Sequence, residues 1–309
     1  MPTRLAGPRL RSMDYGDILD FSIKLYLRHF IVLLAAFALP YLPAHLAQTA
    51  FQAAGPATLE TVFQSPARIA PWLGAGLAAL LAYLIAYPFA LAATTQGISE
   101  AYLGRRPTLR SCYTGVLKRF WPLLGAVLLS TIIIMGGFVL LMIPGIYLAI
   151  IYLFIAPVVV LEGRSVWDGL RRSAALVQGY FWKCLVVVVI VRIMISVLSS
   201  IVIMPLSFLL MAGIFKQGEP TWQMQVVLST VTGGLNFLLG PFEVVARTLL
   251  YYDLRIRKEG FDLQVMAESL GLAGEILIPC PQCGSRNAPD STFCGQCGSR
   301  LPSAGATPE

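Results

Sequence analysis

Four of the chain's six cysteines fall in one short window: Cys280-Pro-Gln-Cys283-Gly, nine further residues, then Cys294-Gly-Gln-Cys297-Gly. Cysteines two residues apart can turn both sulfurs toward one ion, and two such pairs supply the four thiolates that tetrahedral zinc takes at about 2.3 Å. Gly284 and Gly298 each follow the second cysteine of a pair. There a glycine can adopt positive φ and let backbone N–H groups approach sulfur. A site closed by four thiolates is structural, because catalytic zinc keeps a position open for water. A redox pair or an iron–sulfur site would not need this doubled, glycine-flanked arrangement, so the sequence predicts a zinc ribbon over residues 280–301. A module of roughly 20 residues has little core of its own and should fold only around its metal. Clustering of this kind also points to a reducing compartment. Cys112 and Cys184 stand alone and read as ordinary thiols.

The second set of chemically capable residues is Arg192, Glu243 and Arg247, each inside an apolar run. A charge at mid-bilayer costs at least about 2.5–3.5 kcal/mol on insertion scales, so it should face protein and be paired. Arg192 follows Trp182 by ten residues and Glu243 precedes Tyr252 by nine. At about 1.5 Å per residue they lie at similar depth, which permits an interhelical ion pair. Glu243 and Arg247 also share a helix face, just after Pro241. Two readings stand: a polar site for a lipid headgroup or a solute, and a buried pair that fixes how two helices pack. Asp14, Asp17 and Asp20 form a third group, read as capping and solvating a helix rather than binding metal. Only two histidines occur, His29 and His45, and there is no HExxH or GxSxG. The expectation is therefore a non-enzymatic protein.

What must position these groups is a membrane bundle. Of 309 residues, 57% are hydrophobic and 13% charged, where a soluble domain carries about 25% charged residues. A span needs about 20 apolar residues, and six candidates occur near 30–51, 72–99, 120–143, 145–161, 182–212 and 223–252. Pro144-Gly145 is expected to turn the chain between the third and fourth; a single bent helix would hold too many apolar residues for one crossing. The net charge of +7 is not spread evenly. Basic residues crowd the N-terminal segment, 105–119, 164–183 and 255–258, while the intervening loops hold only Arg68 and Lys216. Six spans with both termini in the cytosol satisfy that asymmetry. No cleavable signal peptide is expected at the basic, polar N-terminus.

Three of the basic segments resemble one another: LDFSIKLYLRHF (19–30), LRSCYTGVLKRF (109–120) and LRRSAALVQGYF (170–181). Each runs into a span and suits an amphipathic helix in the headgroup layer, with Lys and Arg near anionic lipid. The architecture would then be three units of interfacial helix plus two spans, although any cytosolic helix ahead of a span drifts toward this composition. Trp121, Trp167, Trp182, Trp222, Tyr180 and Tyr251 read as interfacial aromatics. The predicted organisation is an all-α membrane domain over 1–260, a linker or amphipathic helix over 261–279, the ribbon, and a disordered tail over 302–309. The ribbon's only basic residues are Arg286 and Arg300 and its one aromatic is Phe293. Nucleic acid is thus not expected, and a protein contact is.

Several stretches also resemble a known family. DILDFSIKLYLRHF, IPGIYLAIIYLFIAPVVVLEGRSVWDGLRRSAALVQGYFWK and LLYYDLRIRKEGFDL are similar to the membrane domain associated with glycerophosphoryl diester phosphodiesterases, over roughly residues 14–263. The resemblance implies a polytopic protein of the bacterial cytoplasmic membrane. In fused members a separate barrel performs the chemistry. No such barrel is expected here, so no catalytic residue carries over. The CPQCG…FCGQCG segment resembles ribbons attached to many bacterial membrane proteins. The function expected is a scaffold, regulatory or envelope-homeostasis component with a cytosolic zinc-ribbon contact module. The alternative is a transporter or lipid-handling protein built on Arg192, Glu243 and Arg247.

Overall fold

The computed structural model describes residues 12–54, 66–217 and 222–262, and in the C-terminal part 278–279, 282, 286–287, 292–294 and 296–300. It divides into two compact units, Met1–Arg255 and Ile256–Glu309. The helices are α1 (Tyr15–Arg28), α2 (Phe30–Ala54), α3 (Pro66–Tyr102), α4 (Leu109–Leu117), α5 (Phe120–Leu140), α6 (Met142–Ile151), α7 (Ile155–Pro157, running into a π-helical turn at Val158–Glu162), α8 (Val166–Val177), α9 (Phe181–Gln217) and α10 (Trp222–Glu259). The expected linker and tail lie almost wholly outside the described residues.

Among the described residues, five helical segments are long and apolar enough to cross a membrane: Phe30–Gln52, Trp72–Tyr102, Phe120–Leu140, Met142–Glu162 and Phe181–Ala212. The sequence led us to expect six. The last helix is 38 residues long but falls short on composition, because it carries Asn236, Glu243, Arg247, Asp253 and four glycines and threonines between Thr230 and Gly234. It nevertheless runs alongside α2 in the opposite direction. Gly240 abuts the Phe37 ring, and a side chain at Gly233 would collide with His45. Its charged residues Glu243, Arg247 and Asp253 are carried against protein, while α9 turns Ile201, Met204 and Phe208 outward, each at least 66% exposed.

The three basic segments form α1, α4 and α8, all strongly amphipathic. In each, the closing phenylalanine (Phe30, Phe120, Phe181) is the first residue of the long helix that follows. Thr108 caps α4 in a reciprocal capping box with Ser111, and Ser165 caps α8 by accepting from the Asp168 N–H. These side-chain oxygens satisfy donors the helix cannot. Asp14 occupies the cap position of α1 without a side-chain capping bond, and Asp20 instead pairs with Lys24 at 2.6 Å on the exposed face.

The turn between the third and fourth spans is not at Pro144-Gly145. Leu141 breaks the helix, with φ −162° and ψ 153°, and Pro144 and Gly145 already belong to the first turn of α6. A proline early in a helix loses no intrahelical bond. The glycines serve the crossing: a Cβ on Gly137 would lie 3.1 Å from the Gly145 Cα, and one on Gly145 would strike Phe138.

Prolines inside the long helices interrupt the backbone ladder, and tyrosines donate to carbonyls beside them. Pro40 removes the donor that would pair with Ala36 O, and the Tyr113 hydroxyl donates there at 2.7 Å. Pro241 disturbs the same ladder in α10, and the Tyr26 hydroxyl donates to Leu238 O at 2.5 Å. In hydrocarbon such groups have no water to turn to. The break after α6 is handled likewise: the Ser173 hydroxyl donates to Ile151 O at 2.7 Å and accepts from the Phe154 N–H at 3.2 Å.

Replacing Gly145 by Leu should overpack the α5–α6 hairpin and cost about 1–3 kcal/mol, read as a lower thermal midpoint of the detergent-solubilised protein. Cys112 is fully buried, and burial, with Glu100 nearby, pushes its thiol up to about 11. At pH 8 roughly one molecule in a thousand would carry the thiolate, so maleimide should leave Cys112 unmodified until the protein is denatured.

Candidate functional site

Two carboxylates organise the basic end of the bundle. Asp253, near the end of α10, is completely buried. One of its oxygens accepts the Met13 N–H at 2.7 Å, and the other pairs with the Lys183 ammonium at 2.5 Å. Lys183 also donates to Met13 O at 2.8 Å. The segment before α1, the start of α9 and the end of α10 are thus tied at one point. Beside it, Ser99 near the end of α3 bonds the Tyr252 hydroxyl at 2.6 Å, and the Tyr102 and Tyr252 rings lie 4.9 Å apart.

Glu162, the last residue of the π-helical turn, is the second carboxylate, with its side chain 9% exposed. Arg172 of α8 grips it with two nitrogens at 2.9 and 3.2 Å, and the Tyr251 hydroxyl donates to it at 2.8 Å. Arg164 and Arg255 stand at 3.6 and 3.9 Å. Bidentate arginine–carboxylate contacts are among the stronger charge-assisted bonds. The turn is shaped from behind by Arg119, which donates to Val160 O at 2.8 Å. Its guanidinium would lie 2.6 Å from any Cβ on Gly163, whose φ is +73°. Only glycine satisfies both the left-handed backbone and that contact. π-Helical turns concentrate at functional sites.

Tyr251 was expected in an interfacial belt. It is fully buried because its hydroxyl is needed by Glu162. Trp121, Trp167 and Trp182 lie on the surface, each at least 65% exposed; the side chain of Trp222 lies outside the described residues.

Deeper in the bundle, Glu243 accepts from Arg192 at 2.9 Å and from Arg247 at 2.7 Å through the same oxygen. The three candidate charges therefore meet. Glu243 and Arg247 are 15% and 20% exposed, whereas Arg192 is 59% exposed. Two cations share one anion. A narrow cleft between α9 and α10 beside them is lined by Val187, Val191, Ala246 and Leu250.

In the C-terminal unit, Cys280 and Cys283 lie outside the described residues, and among the described residues no group of three metal-ligating side chains occurs. Cys294 and Cys297 are described. The Gln296 N–H points at Cys294 Sγ at 3.5 Å, the Gly298 N–H donates to Cys294 O at 2.9 Å, and the Cys294 N–H to Ser299 O at 2.8 Å. Gly298 has φ +72°. A bridge between Phe293 and Arg300 brackets this turn. The strands β1 (Ile278–Pro279) and β2 (Arg286–Asn287) pair antiparallel and bracket the segment that holds the other two cysteines.

Fold and composition together define a multi-pass membrane protein whose bundle is helical. Residues 123–268 match a family model described as the membrane domain of glycerophosphoryl diester phosphodiesterase, and residues 277–302 match a domain of unknown function, DUF7577. No curated protein and no solved structure matches. The first match covers a little under half of the chain. It contains Glu162, Arg172, Lys183, Arg192, Glu243, Arg247, Tyr251 and Asp253, but not the N-terminal DILDFSIKLYLRHF on which part of the resemblance rested. Sequence reasoning missed the Glu162 and Asp253 clusters, although LEGRSVWDGLRRS and YYDLR had been quoted as family-like. Charged and hydroxyl residues inside such stretches were the available signal.

Replacing Asp253 by Leu alone strands Lys183, whose side chain is 10% exposed, without its carboxylate. Breaking one side of a buried pair costs about 3–5 kcal/mol, so the thermal midpoint should fall sharply. Lys183→Met combined with Asp253→Leu should recover part of the loss.

Proposed function

We propose that this chain is a non-enzymatic protein of the cytoplasmic membrane in which a rigid helical bundle carries a cytosolic zinc ribbon as a contact module for a protein partner. The observation that carries this reading is the turn at 294–300. There an N–H approaches the Cys294 sulfur and a left-handed glycine follows Cys297, the arrangement a thiolate–metal knuckle requires. Cys280, Cys283, Cys294 and Cys297 would together hold one structural zinc, which orders the ribbon. Both termini would be cytosolic, with α10 making the final passage as a polar helix shielded by its neighbours. The meeting of Met13, Ser99, Lys183 and Asp253 at one end supports this, and the crowding of basic residues at that end favours anionic lipid around it. Glu162 and Asp253 are held by cations and hydroxyls that fix them in place, so they serve packing rather than proton transfer.

A second reading, lipid or solute handling at Arg192, Glu243 and Arg247, is favoured by one observation. The cluster carries an uncompensated positive charge, and its exposed member, Arg192, lies on the outer side of the bundle. An anionic headgroup would balance it.

Metal analysis of the purified full-length protein should find about one zinc per chain. Cys294→Ser with Cys297→Ser should remove it and abolish recovery of a protein partner by affinity purification from native membranes. A partner retained by the metal-free variant would overturn the contact role. Arg192→Leu with Glu243→Leu should leave that recovery intact. If the double variant instead lowers the anionic lipid retained per chain, the second reading gains the site.

A further inference from the structure

Beyond the charged layers, the half of the bundle remote from the basic end contains a polar recess of about 570 Å³ between α2, α3 and α10. That is within the range of small-molecule sites, roughly 300–1,000 Å³. His45 lies fifteen residues past Phe30, so at about 1.5 Å per residue it is about 22 Å along α2 from its start. The wall is built from Tyr41, His45, Gln52, Tyr83, Thr232 and Asn236, with Ser229 beside them.

Three features of this wall need an explanation. First, the recess is open, and the two amides on its wall, Gln52 at the end of the first apolar run and Asn236, are exposed and free to meet a ligand. Second, the His45 Nε2 is buried with no hydrogen-bond partner among the described residues, whereas buried polar atoms are normally satisfied. Third, Gly233 makes room for the imidazole itself, since a Cβ there would fall on the ring, and that ring stacks on Tyr41 with centroids 5.8 Å apart and planes 4° from parallel.

The chemistry of the lining selects the occupant. No Asp, Glu, Lys or Arg lines the recess among the described residues, so a charged ligand would find no counter-charge on its wall. The amides of Gln52 and Asn236 each donate and accept, and the Thr232 hydroxyl does both. The Ser229 hydroxyl already donates to Val226 O at 3.0 Å, which leaves it an acceptor. The Tyr41 and Tyr83 rings, 6.2 Å apart, supply electron-rich faces for the C–H surfaces of a ligand that is polar at its edges. We infer that the recess binds a neutral, polyhydroxylated group, the chemistry shared by a glycolipid's sugar headgroup and a free sugar. This site is separate from the Arg192–Glu243–Arg247 cluster and owes nothing to the ribbon.

The test uses the full-length protein in nanodiscs of phosphatidylcholine doped equally with monoglucosyl diacylglycerol and phosphatidylglycerol, with retained lipid identified by native mass spectrometry. The glucosyl lipid should be enriched about tenfold over the phosphatidylglycerol. Gln52→Leu with Asn236→Leu should abolish that enrichment. Thr232→Val, close in shape, should lower it about threefold, the weight of one hydrogen bond, and keeps the test valid if the double variant does not fold. Arg192→Leu should leave it unchanged. Added free glucose separates the sources: displacement of the lipid assigns the recess to a soluble sugar as well, and retention assigns it to the headgroup. Absence of enrichment in the wild-type protein, or equal enrichment in a Thr232→Val variant of unchanged thermal midpoint, would overturn the assignment.

Discussion

A carboxylate sealed away from water has to be neutralised where it stands, and Asp253 imposes that demand on the whole bundle. Its two oxygens are served by a lysine from the start of α9 and by a backbone N–H from the segment ahead of α1, elements far apart in the chain. The hydrophobic effect cannot choose among arrangements of helices in lipid, because lipid tails are as apolar as the side chains they touch. Directional contacts of this kind have to do it. Glu162 repeats the device a short way along the same end, joining the π-helical turn, α8 and α10 through Arg172 and Tyr251.

The same constraint explains how irregular backbone survives at membrane depth. Four of the interruptions have a named partner: Tyr113 for the carbonyl freed by Pro40, Tyr26 for the ladder disturbed by Pro241, Ser173 for the break after α6, Arg119 for the end of the π-helical turn. Several of these partners come from α1, α4 and α8, the short amphipathic helices. Those helices do more than lie along a lipid surface; they supply the hydrogen bonds that let the long helices bend and stop.

Polarity within the bundle is layered by purpose. At the basic end the carboxylates are enclosed and fully engaged, as packing devices are. Further in, Glu243 is shared between two arginines and one of them is exposed, so among the described residues the pair of cations outnumbers its anion. Beyond that the described lining of the recess is uncharged, with amides and hydroxyls beside two tyrosines and a histidine. A ligand meeting these layers would meet different chemistry in each, and this separates the two ligand readings.

Much of the architecture was legible in the residues themselves. Apolar run lengths located the five qualifying helices to within a few residues, since a span is defined by composition alone. The amphipathic segments ahead of Phe30, Phe120 and Phe181 were visible from helical periodicity, and the similar depth of Arg192 and Glu243 from counting along two helices. The cysteine spacing identified a candidate metal set, of which the Cys294–Cys297 turn has the expected glycine geometry. Other features depended on which helices became neighbours. Composition could not say that the charged stretch of α10 from Glu243 to Asp253 would be sheltered, or that Tyr251 would turn inward to Glu162. Nor could it place the turn at Leu141 rather than at Pro144-Gly145, because a proline is tolerated in the first turn of a helix as readily as between helices. The union of Met13, Lys183 and Asp253, and the gathering of His45, Gln52 and Asn236 around one space, belong to tertiary structure alone. Periodicity reports which face of a helix is polar, and only packing decides what that face meets.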